Sequence, residues 1–418
     1  MISQLSEMKV NWVDNNKENA NLLTMYNMPN LVASSLTWER IRTTDIGIDL
    51  GFLNNELMVG FDWYQRENRD MLAPSKVLPQ VLGADAPVSN AGTLRTRGWE
   101  FTVDWHHRFG DFNVYANFNL SDSRTKVTKW DNPSMLLNTN YSGKTYGDIW
   151  GFETDRYFEE SDFTGKNPDG TWNYAAGIAS QKGLEQGSFH YGPGDVKYKD
   201  LDGSGVIDGG KGTANNHGDL KVIGNFLPRY EYSFHLGGTW KGIDLDLFFQ
   251  GVGKRDSWTV SSMNFPLMRD ADLALYAHQT SYNKVNFTAD HKTITGYEIN
   301  QNNKYPRLFP GNDPKGTISG IDNGTNNYYP QSRYLTDMSY LRLKNVTLGY
   351  TLPAELTRKA YIQKARIYFS ASNLFLLHKG NDLPVDPEIS TGAGLAYGGW
   401  GRTAPITRTF SFGMQVTL

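Results

Sequence analysis

The clearest pattern in the sequence is an alternation of apolar and polar residues between Arg229 and Gly253. The apolar positions are Tyr230, Tyr232, Phe234, Leu236 and Trp240, and then Ile243, Leu245, Leu247 and Phe249. A side-chain period of two is typical of a strand with unlike faces. Two such runs, separated only by Lys241-Gly242, predict a β-hairpin. Each run has about the length of a tilted membrane-crossing strand, roughly 9–11 residues, although a half-buried hairpin of a soluble β-protein has the same pattern.

The same alternation recurs along the chain and predicts nine strands in all. Besides the two strands of this hairpin they are Ile41–Phe52, Leu57–Glu67, Arg97–Arg108, Phe112–Val127, Tyr340–Thr351, Ala365–Leu377 and Thr407–Leu418. A brief helical turn is expected around Glu355–Arg358, and Phe265–Gln279 is compatible with a short helix. The chain is therefore predicted to be all-β.

The lengths of the connections favour a membrane barrel over a soluble sandwich. Short connections at 53–55, 109–111, 241–242 and 352–364 alternate with long ones at about 69–92, 129–228, 254–338 and 378–405. Compact domains rarely contain loops longer than about 12–15 residues, whereas outer-membrane barrels have short periplasmic turns and long extracellular loops. If the short turns are periplasmic, the last strand also ends at the periplasm.

An odd strand count is unusual, because bacterial single-chain barrels normally have an even number of strands. We therefore expect an antiparallel transmembrane β-barrel segment, about nine to eleven strands of a larger barrel, with long extracellular loops. Residues 1–37 are interpreted as the end of an extracellular loop, and residues 38–418 as C-terminal barrel strands with their loops.

Composition narrows the classes of function. A formal net charge of −3 gives no basic footprint for nucleic acid. No stretch approaches the roughly 18 consecutive apolar residues of a membrane-spanning helix. The absence of cysteine excludes disulfides and thiolate metal sites. The first residues lack the basic and apolar regions of a signal peptide, so we expect any export signal to lie outside this sequence.

Short motifs spread over residues 36–418 resemble the SusC/RagA-like TonB-dependent transporters of Gram-negative outer membranes. They are Leu36-Thr-Trp-Glu39, Asn90-Ala-Gly92 with Arg97-Gly-Trp-Glu100, Gly147-Asp-Ile-Trp-Gly-Phe152, the run from Gly194 to Asp208, Ile223-Gly224 with Pro228-Arg-Tyr230, Phe249-Gln-Gly251, the run from Tyr340 to Val346, and Ser372-Asn373-Leu374. The order and spacing of these motifs carry the resemblance.

The resemblance implies a barrel of about 22 strands with a plugged lumen. It also implies import of oligosaccharides or peptides across the outer membrane, a SusD-like surface lipoprotein as partner, and energy from TonB through an N-terminal part outside this chain. A soluble or surface all-β carbohydrate-binding protein is the alternative. A glycan hydrolase is disfavoured because no convincing acid/base pair appears, and no nucleophile-elbow, phosphate-loop or zinc-protease motif is present, so we predict that the chain is not an enzyme.

One loop has the spacing of a calcium site. The run from Asp200 to Asp208 matches the first nine positions of an EF-hand-type loop, with oxygen donors at Asp200, Asp202, Ser204 and Asp208 and the carbonyl of Val206. Lys211 stands where a bidentate glutamate is expected, and Asp219 is the predicted substitute. A structural Ca²⁺ is therefore predicted here, the alternative being an Asp/Gly turn without metal.

Aromatic residues in the loops are candidate substrate contacts. They are Tyr146, Trp150, Trp172, Trp258 and Trp400. Their rings have the faces needed to stack on sugars or peptide side chains, and they are equally suited to packing the long loops together.

Overall fold

The computed structural model describes residues 7–11, 22–26, 36–74, 88–187, 189–258, 281–290, 293–307, 326–383, 385–388 and 406–418. The strands, in chain order, are β1 Glu7–Asn11, β2 Leu22–Tyr26, β3 Arg40–Phe52, β4 Leu57–Pro74, β5 Val88–Phe109, β6 Phe112–Lys129, β7 Asp148–Phe152, β8 Thr154–Tyr157, β9 Phe163–Lys166, β10 Trp172–Tyr174, β11 Val196–Tyr198, β12 Leu220–Asn225, β13 Arg229–Trp240, β14 Ile243–Lys254, β15 Asp256–Ser257, β16 Lys284–Phe287, β17 Ile294–Glu298, β18 Thr336–Asp337, β19 Tyr340–Thr351, β20 Lys364–Lys379 and β21 Thr409–Thr417. The one α-helical turn described, α1, is Ala354–Thr357, and 3₁₀ turns occupy Glu160–Asp162, Lys182–Leu184, Asn326–Tyr328 and Arg358–Ala360.

The largest element is a nine-stranded sheet in the order β21-β20-β19-β14-β13-β6-β5-β4-β3. Neighbouring strands of this sheet are antiparallel and come one after another among its nine strands in the sequence, so successive connections alternate between the two ends of the sheet. The short connections therefore lie at one end and the long insertions at the other. The expected all-β antiparallel architecture with nine main strands is confirmed. No helix in the part of the chain that the structure describes has the length and apolarity to cross a bilayer.

The hairpin of β13 and β14 forms as the alternation predicts. Trp240 pairs with Ile243 across the two-residue turn. Lys241 and Gly242 have φ of 46° and 88°, and two consecutive positive φ values are the requirement of the tight hairpin turns whose twist matches the strands.

The sheet has an apolar face and a polar face. One row of paired residues on the apolar face crosses six strands, through Ala116, Leu236, Leu247, Val346, Ala371 and Phe410. Much of this face is exposed: Leu236 is 40%, Phe410 59% and Phe412 85% accessible. A soluble monomer rarely exposes a contiguous apolar patch larger than a few hundred Å², so the exposed band agrees with strands that face lipid.

The polar face is joined by hydrogen bonds and ion pairs between strands. The Tyr115 hydroxyl donates to Asp246, whose carboxylate also lies 2.6 Å from His235 Nε2. Arg366 forms a bidentate pair with Asp244, with Nε at 2.9 Å and an NH2 nitrogen at 2.5 Å from its oxygens. The charged groups of these contacts, which would be costly in lipid, therefore lie on the polar face.

Several boundaries differ from the predictions. β4 continues to Pro74 and β5 begins at Val88, so the connection predicted at 69–92 is shorter than expected. Residues 1–37, interpreted as the end of an extracellular loop, contain the antiparallel pair β1 and β2. The helical turn expected around Glu355–Arg358 is confirmed. The short helix considered for Phe265–Gln279 lies outside the described residues.

The chain divides into two compact units. One consists of Met1–Thr44, Gln65–Arg97 and Thr125–Thr145, and the other of Asp45–Tyr64, Gly98–Arg124 and Tyr146–Leu418. In the first unit, Glu67 is nearly buried and pairs with Arg69 and, at 2.7 Å, with Arg95. In the second, the long insertions contribute a core of their own, described next.

Candidate functional site

The long insertions after β6 and β14 fold together around buried aromatic side chains, which we call the loop core. Its fully or nearly buried members are Phe152, Tyr157, Phe158, Phe163, Phe189, Tyr191, Val196, Tyr198, Ile207, Tyr305, Tyr328 and Tyr334. Short antiparallel pairs, β8 with β11 and β7 with β12, bring distant parts of the first insertion together. Burial raises the pKa of Tyr191, Tyr328 and Tyr334 well above the ordinary value, so these phenols stay neutral.

A buried ion pair connects the two insertions within the loop core. Asp195 is 0% exposed, and its carboxylate receives hydrogen bonds at 2.8 and 2.7 Å from Nε and an NH2 nitrogen of Arg307. Asn327 Nδ2 and the Gly192 amide donate to the same carboxylate, each at 2.8 Å. Such a pair is stable only when its remaining donors and acceptors are satisfied, as they are here.

The predicted calcium loop has the fold that its glycines require. Gly203 and Gly205 have φ of 74° and 77°. The Asp200 carboxylate accepts the amides of Gly203 and Gly205 at 2.7 and 2.8 Å, and that of Ser204 at 3.2 Å. The chain therefore wraps around this carboxylate in a tight turn.

Asp219 joins this loop from outside it. Oxygens of Asp200, Asp202 and Asp219 lie within 4.8 Å of one another, and Asp219 is fully buried. The Asp219 carboxylate accepts the amides of Leu201 at 2.6 Å and Asp208 at 2.9 Å. Three carboxylates this close are the hard oxygen donors that Ca²⁺ prefers.

The other predicted donors make local hydrogen bonds. The Ser204 hydroxyl donates to the Val206 carbonyl at 2.8 Å, and Asp208 Oδ1 accepts the Gly210 amide at 2.6 Å. Hydrogen bonds with Ser204 hold the pKa of Asp202 below its ordinary range, so this carboxylate is ionised at neutral pH. The structure thus brings together three of the six predicted ligands as a compact carboxylate group.

The candidate aromatic contacts lie in different surroundings. Trp172 and Trp258 pack against the loop core, and the Trp172 ring lies 5.2 Å from that of Phe163. Trp150 contacts His217 at 5.3 Å. Tyr146 is the exposed one, 37% accessible and edge-on to Phe226. Trp400 lies outside the described residues, and a substrate role for the set stays a prediction.

Sequence reasoning missed a polar cavity of about 460 Å³ between three loop segments. Its lining includes Asn302–Lys304, Arg333–Asp337 and Gly380–Leu383. The signal available in the sequence is the amide-rich run Asn300-Gln-Asn-Asn-Lys304, which lies in a long insertion and has no apolar periodicity.

Comparisons with known proteins agree with this architecture. The family described as TonB dependent receptor-like, beta-barrel, matches residues 15–215. The chain is 28% identical to TonB-dependent receptor P3 of Formosa agariphila, over 91% of this chain and 34% of that protein. It is 24% identical to TonB-dependent receptor SusC of Bacteroides thetaiotaomicron, over 87% and 31%. The chain therefore spans about a third of the length of the curated relatives it matches.

A solved structure shows the same fold. The RagAB peptide importer in its closed-closed state superposes with a TM-score of 0.59 at 18% identity, covering 99% of this chain and 38% of that one. The relatives are receptors and transporters, in agreement with the prediction that the chain is not an enzyme. The nine-stranded antiparallel sheet, its apolar face and these matches agree on one architecture: residues 15–215 match the TonB-dependent receptor-like β-barrel family, and the chain has the fold of a TonB-dependent receptor barrel.

Proposed function

We propose that this chain is the C-terminal barrel portion of a TonB-dependent outer-membrane importer of oligosaccharides or peptides in a Gram-negative bacterium. The observation that carries the proposal is the asymmetry of the sheet. An exposed apolar face suits lipid, an ion-paired polar face suits a lumen, and all the long insertions extend from one end. The soluble carbohydrate-binding alternative gives no reason for an apolar row that crosses six strands and leaves Leu236 and Phe410 exposed.

The partners follow from the proposal. A SusD-like surface lipoprotein would sit over the long loops, and TonB would act through an N-terminal part outside this chain. The name of the SusC relative and the RagAB fold match support this arrangement. Co-purification of the full-length protein from detergent-solubilised outer membranes tests it, and recovery without any surface lipoprotein would count against the partner.

Uptake is the direct test of the importer. Cells lacking the gene should lose uptake of fluorescently labelled oligosaccharides or peptides too large for porins, and cells lacking TonB should lose it equally. Complementation with the wild-type gene is the control. Uptake that persists in both strains, or a protein that fractionates away from the outer membrane, would overturn the proposal.

We further propose that Asp200, Asp202 and Asp219 hold a structural Ca²⁺ that stabilises the loop core, with Ser204, Val206 and Asp208 nearby in the same loop. The donor set fits, because three carboxylates offer oxygens within 4.8 Å of one another and oxygen ligands are those that Ca²⁺ prefers. The metal would brace an external loop and take no part in transport chemistry.

Calcium should protect this loop from proteolysis and stabilise it by about 2.7 kcal/mol when the free ion is at a hundred times its dissociation constant. In the double variant Asp200→Ala, Asp202→Ala, chelator should cause no further change in melting temperature or cleavage rate. Asp169→Ala is the matched control, because Asp169-Gly170 is also an Asp/Gly turn, closed by a 3.0 Å hydrogen bond from the Thr171 amide. A double variant that still responds to calcium like the parent would show that the site is not real.

A further inference from the structure

The polar cavity is built from three segments that are far apart in sequence, Asn302–Lys304, Arg333–Asp337 and Gly380–Leu383. Its volume of about 460 Å³ lies within the usual range of ligand pockets, roughly 300–1,000 Å³. None of these residues belongs to the carboxylate group around Asp200 or to the candidate aromatic contacts. The cavity is therefore a separate feature of the loop region.

The walls of the cavity are held by hydrogen bonds between its segments. An NH2 nitrogen of Arg333 donates to the carbonyls of Gln301 and Asn303 at 3.1 and 2.5 Å, and its guanidinium lies 4.2 Å from the centre of the Tyr157 ring. Asn381 Nδ2 donates to the Asp337 carbonyl at 2.7 Å. Hydrogen bonds thus fix the segment Arg333–Asp337 to both Asn302–Lys304 and Gly380–Leu383.

The third segment is also anchored to the sheet on both sides. The Gly380 amide donates to the Ser339 carbonyl at 2.9 Å. Beyond the cavity, Asp386 pairs with Arg342 at 2.6 Å, and Glu388 pairs with Lys344 at 2.8 Å. A wall held in this way is preorganised, which reduces the entropy lost when a ligand binds.

The lining combines amides with balanced charges. Amide side chains come from Asn302, Asn303 and Asn381, carboxylates from Asp337 and Asp382, and cations from Lys304 and Arg333. Lys304 Nζ lies 2.7 and 2.8 Å from the two oxygens of Asp382, so that pair is neutral overall. Asp337 uses Oδ1 to accept the Ser339 amide at 2.8 Å.

This chemistry selects among ligand classes. A phosphate or sulfate would meet two carboxylates, and an apolar peptide side chain would desolvate amides and carboxylates without replacing their hydrogen bonds. Amide and carboxylate groups satisfy hydroxyl groups well, because each hydroxyl both donates and accepts. A neutral ligand dense in hydroxyl groups is the class that fits.

We propose that this cavity is a binding subsite for a neutral glycosyl unit of an oligosaccharide, with Asn302 and Asp337 among the side chains that contact its hydroxyls. The inference rests on the proposed importer function and narrows its substrate from oligosaccharides or peptides to oligosaccharides at this position.

Calorimetric titration of the full-length protein in detergent tests the inference. The probes are neutral glucan, mannan and galactan tetrasaccharides, compared with a pool of unmodified tetrapeptides. Asn302→Ala removes an exposed amide, and Asp337→Asn keeps the oxygen that accepts the Ser339 amide while removing the charge. Each should weaken binding of the preferred tetrasaccharide by about tenfold, the effect of about one lost hydrogen bond.

Asn215→Ala is the control, since Asn215 is exposed and does not line the cavity. This variant should bind the preferred tetrasaccharide with the affinity of the parent protein. Unchanged loop-core tryptophan fluorescence in each variant verifies the fold. The inference is overturned if no tetrasaccharide binds, if both cavity variants bind like the parent, or if tetrapeptides bind with the same sensitivity to the two substitutions. The last result would leave importer function standing while reversing the substrate class, and the uptake assay reports on importer function separately.

Discussion

Replacing Leu236 by arginine should lower the stability of the membrane-inserted sheet by about 2–4 kcal/mol, the cost of a cation on the lipid face near the bilayer midplane. Leu236 lies in the row of apolar residues that crosses six strands, and it is 40% exposed with no partner layer above it in the described part of the chain. Folding into phospholipid vesicles followed by urea titration of the folded fraction measures the loss.

Thr347→Arg is the matched control for this prediction. Thr347 lies opposite Asp246 on the polar face, at nearly the same depth as Leu236, because Leu247 pairs with Leu236 and is the neighbour of Asp246. An arginine at position 347 faces the Asp246 carboxylate, so Thr347→Arg should lower the stability by well under half of the loss expected for Leu236→Arg. Equal losses for the two variants would contradict the assignment of the apolar face to lipid.

The strands with strict alternation were predictable to within a residue or two. β13 and β19 begin and end where the period of two begins and ends, and β14 runs one residue further. In these strands one face is apolar and the other polar, so the two-residue period is visible in the sequence. The turn at Lys241-Gly242 adds a second local signal.

The extensions of β4 and β5 were not predictable in this way. Beyond Glu67 and before Arg97 the apolar residues do not alternate with polar ones, since Met71, Leu72 and Ala73 are consecutive, so no hydrophobic period marks these stretches as strand. Cross-strand polar contacts hold these stretches instead: Asn90 Nδ2 donates to the Asp70 carbonyl at 2.6 Å, and Arg95 pairs with Glu67 at 2.7 Å. Such contacts depend on which residues become neighbours, and a single sequence does not reveal that.

The candidate sites also differ in whether a local pattern in the sequence predicts them. The spacing from Asp200 to Asp208 is a local pattern, and the structure places Asp200 and Asp202 in one cluster with Asp219, while the metal stays a prediction. Asp219 was identified by charge alone, and its place beside Asp200 depends on the chain returning through β12. The local signal for the cavity was only the amide-rich run at Asn300–Lys304, and it does not reveal the two other segments of the lining, which are distant in sequence.

The buried pair of Asp195 and Arg307 gives the second large prediction. Arg307→Ala should destabilise the loop core by about 3–5 kcal/mol, because it leaves the Asp195 carboxylate buried without its cation. The variant also loses the 2.7 Å hydrogen bond from Arg307 to the His190 carbonyl. Unfolding of the loop core is measurable by tryptophan fluorescence, since Trp172 and Trp258 pack against it.

Two further variants test whether the stability lost in Arg307→Ala comes from an uncompensated buried charge or from a general loss of packing. Lys284→Ala removes an exposed pair with Glu298, whose N···O distance is 3.6 Å, and should cost less than about 1 kcal/mol. The double variant Asp195→Asn, Arg307→Met removes both charges and keeps an amide oxygen for one of the Asn327 and Gly192 donors, which bond different oxygens of Asp195. It should recover more than half of the stability lost in Arg307→Ala, because the uncompensated charge is the main cost.

The pH dependence of Arg307→Ala provides an independent check with a defined sign. Burial raises the pKa of the Asp195 carboxyl, and Arg307 opposes that rise, so removing Arg307 should raise the pKa further. A carboxyl whose folded pKa exceeds its unfolded pKa binds protons more tightly when folded, so the variant should regain stability as pH falls toward about 4. A deficit that stays constant between pH 7 and 4, or a double variant no more stable than Arg307→Ala, would mean that lost packing rather than an unpaired charge destabilises the loop core.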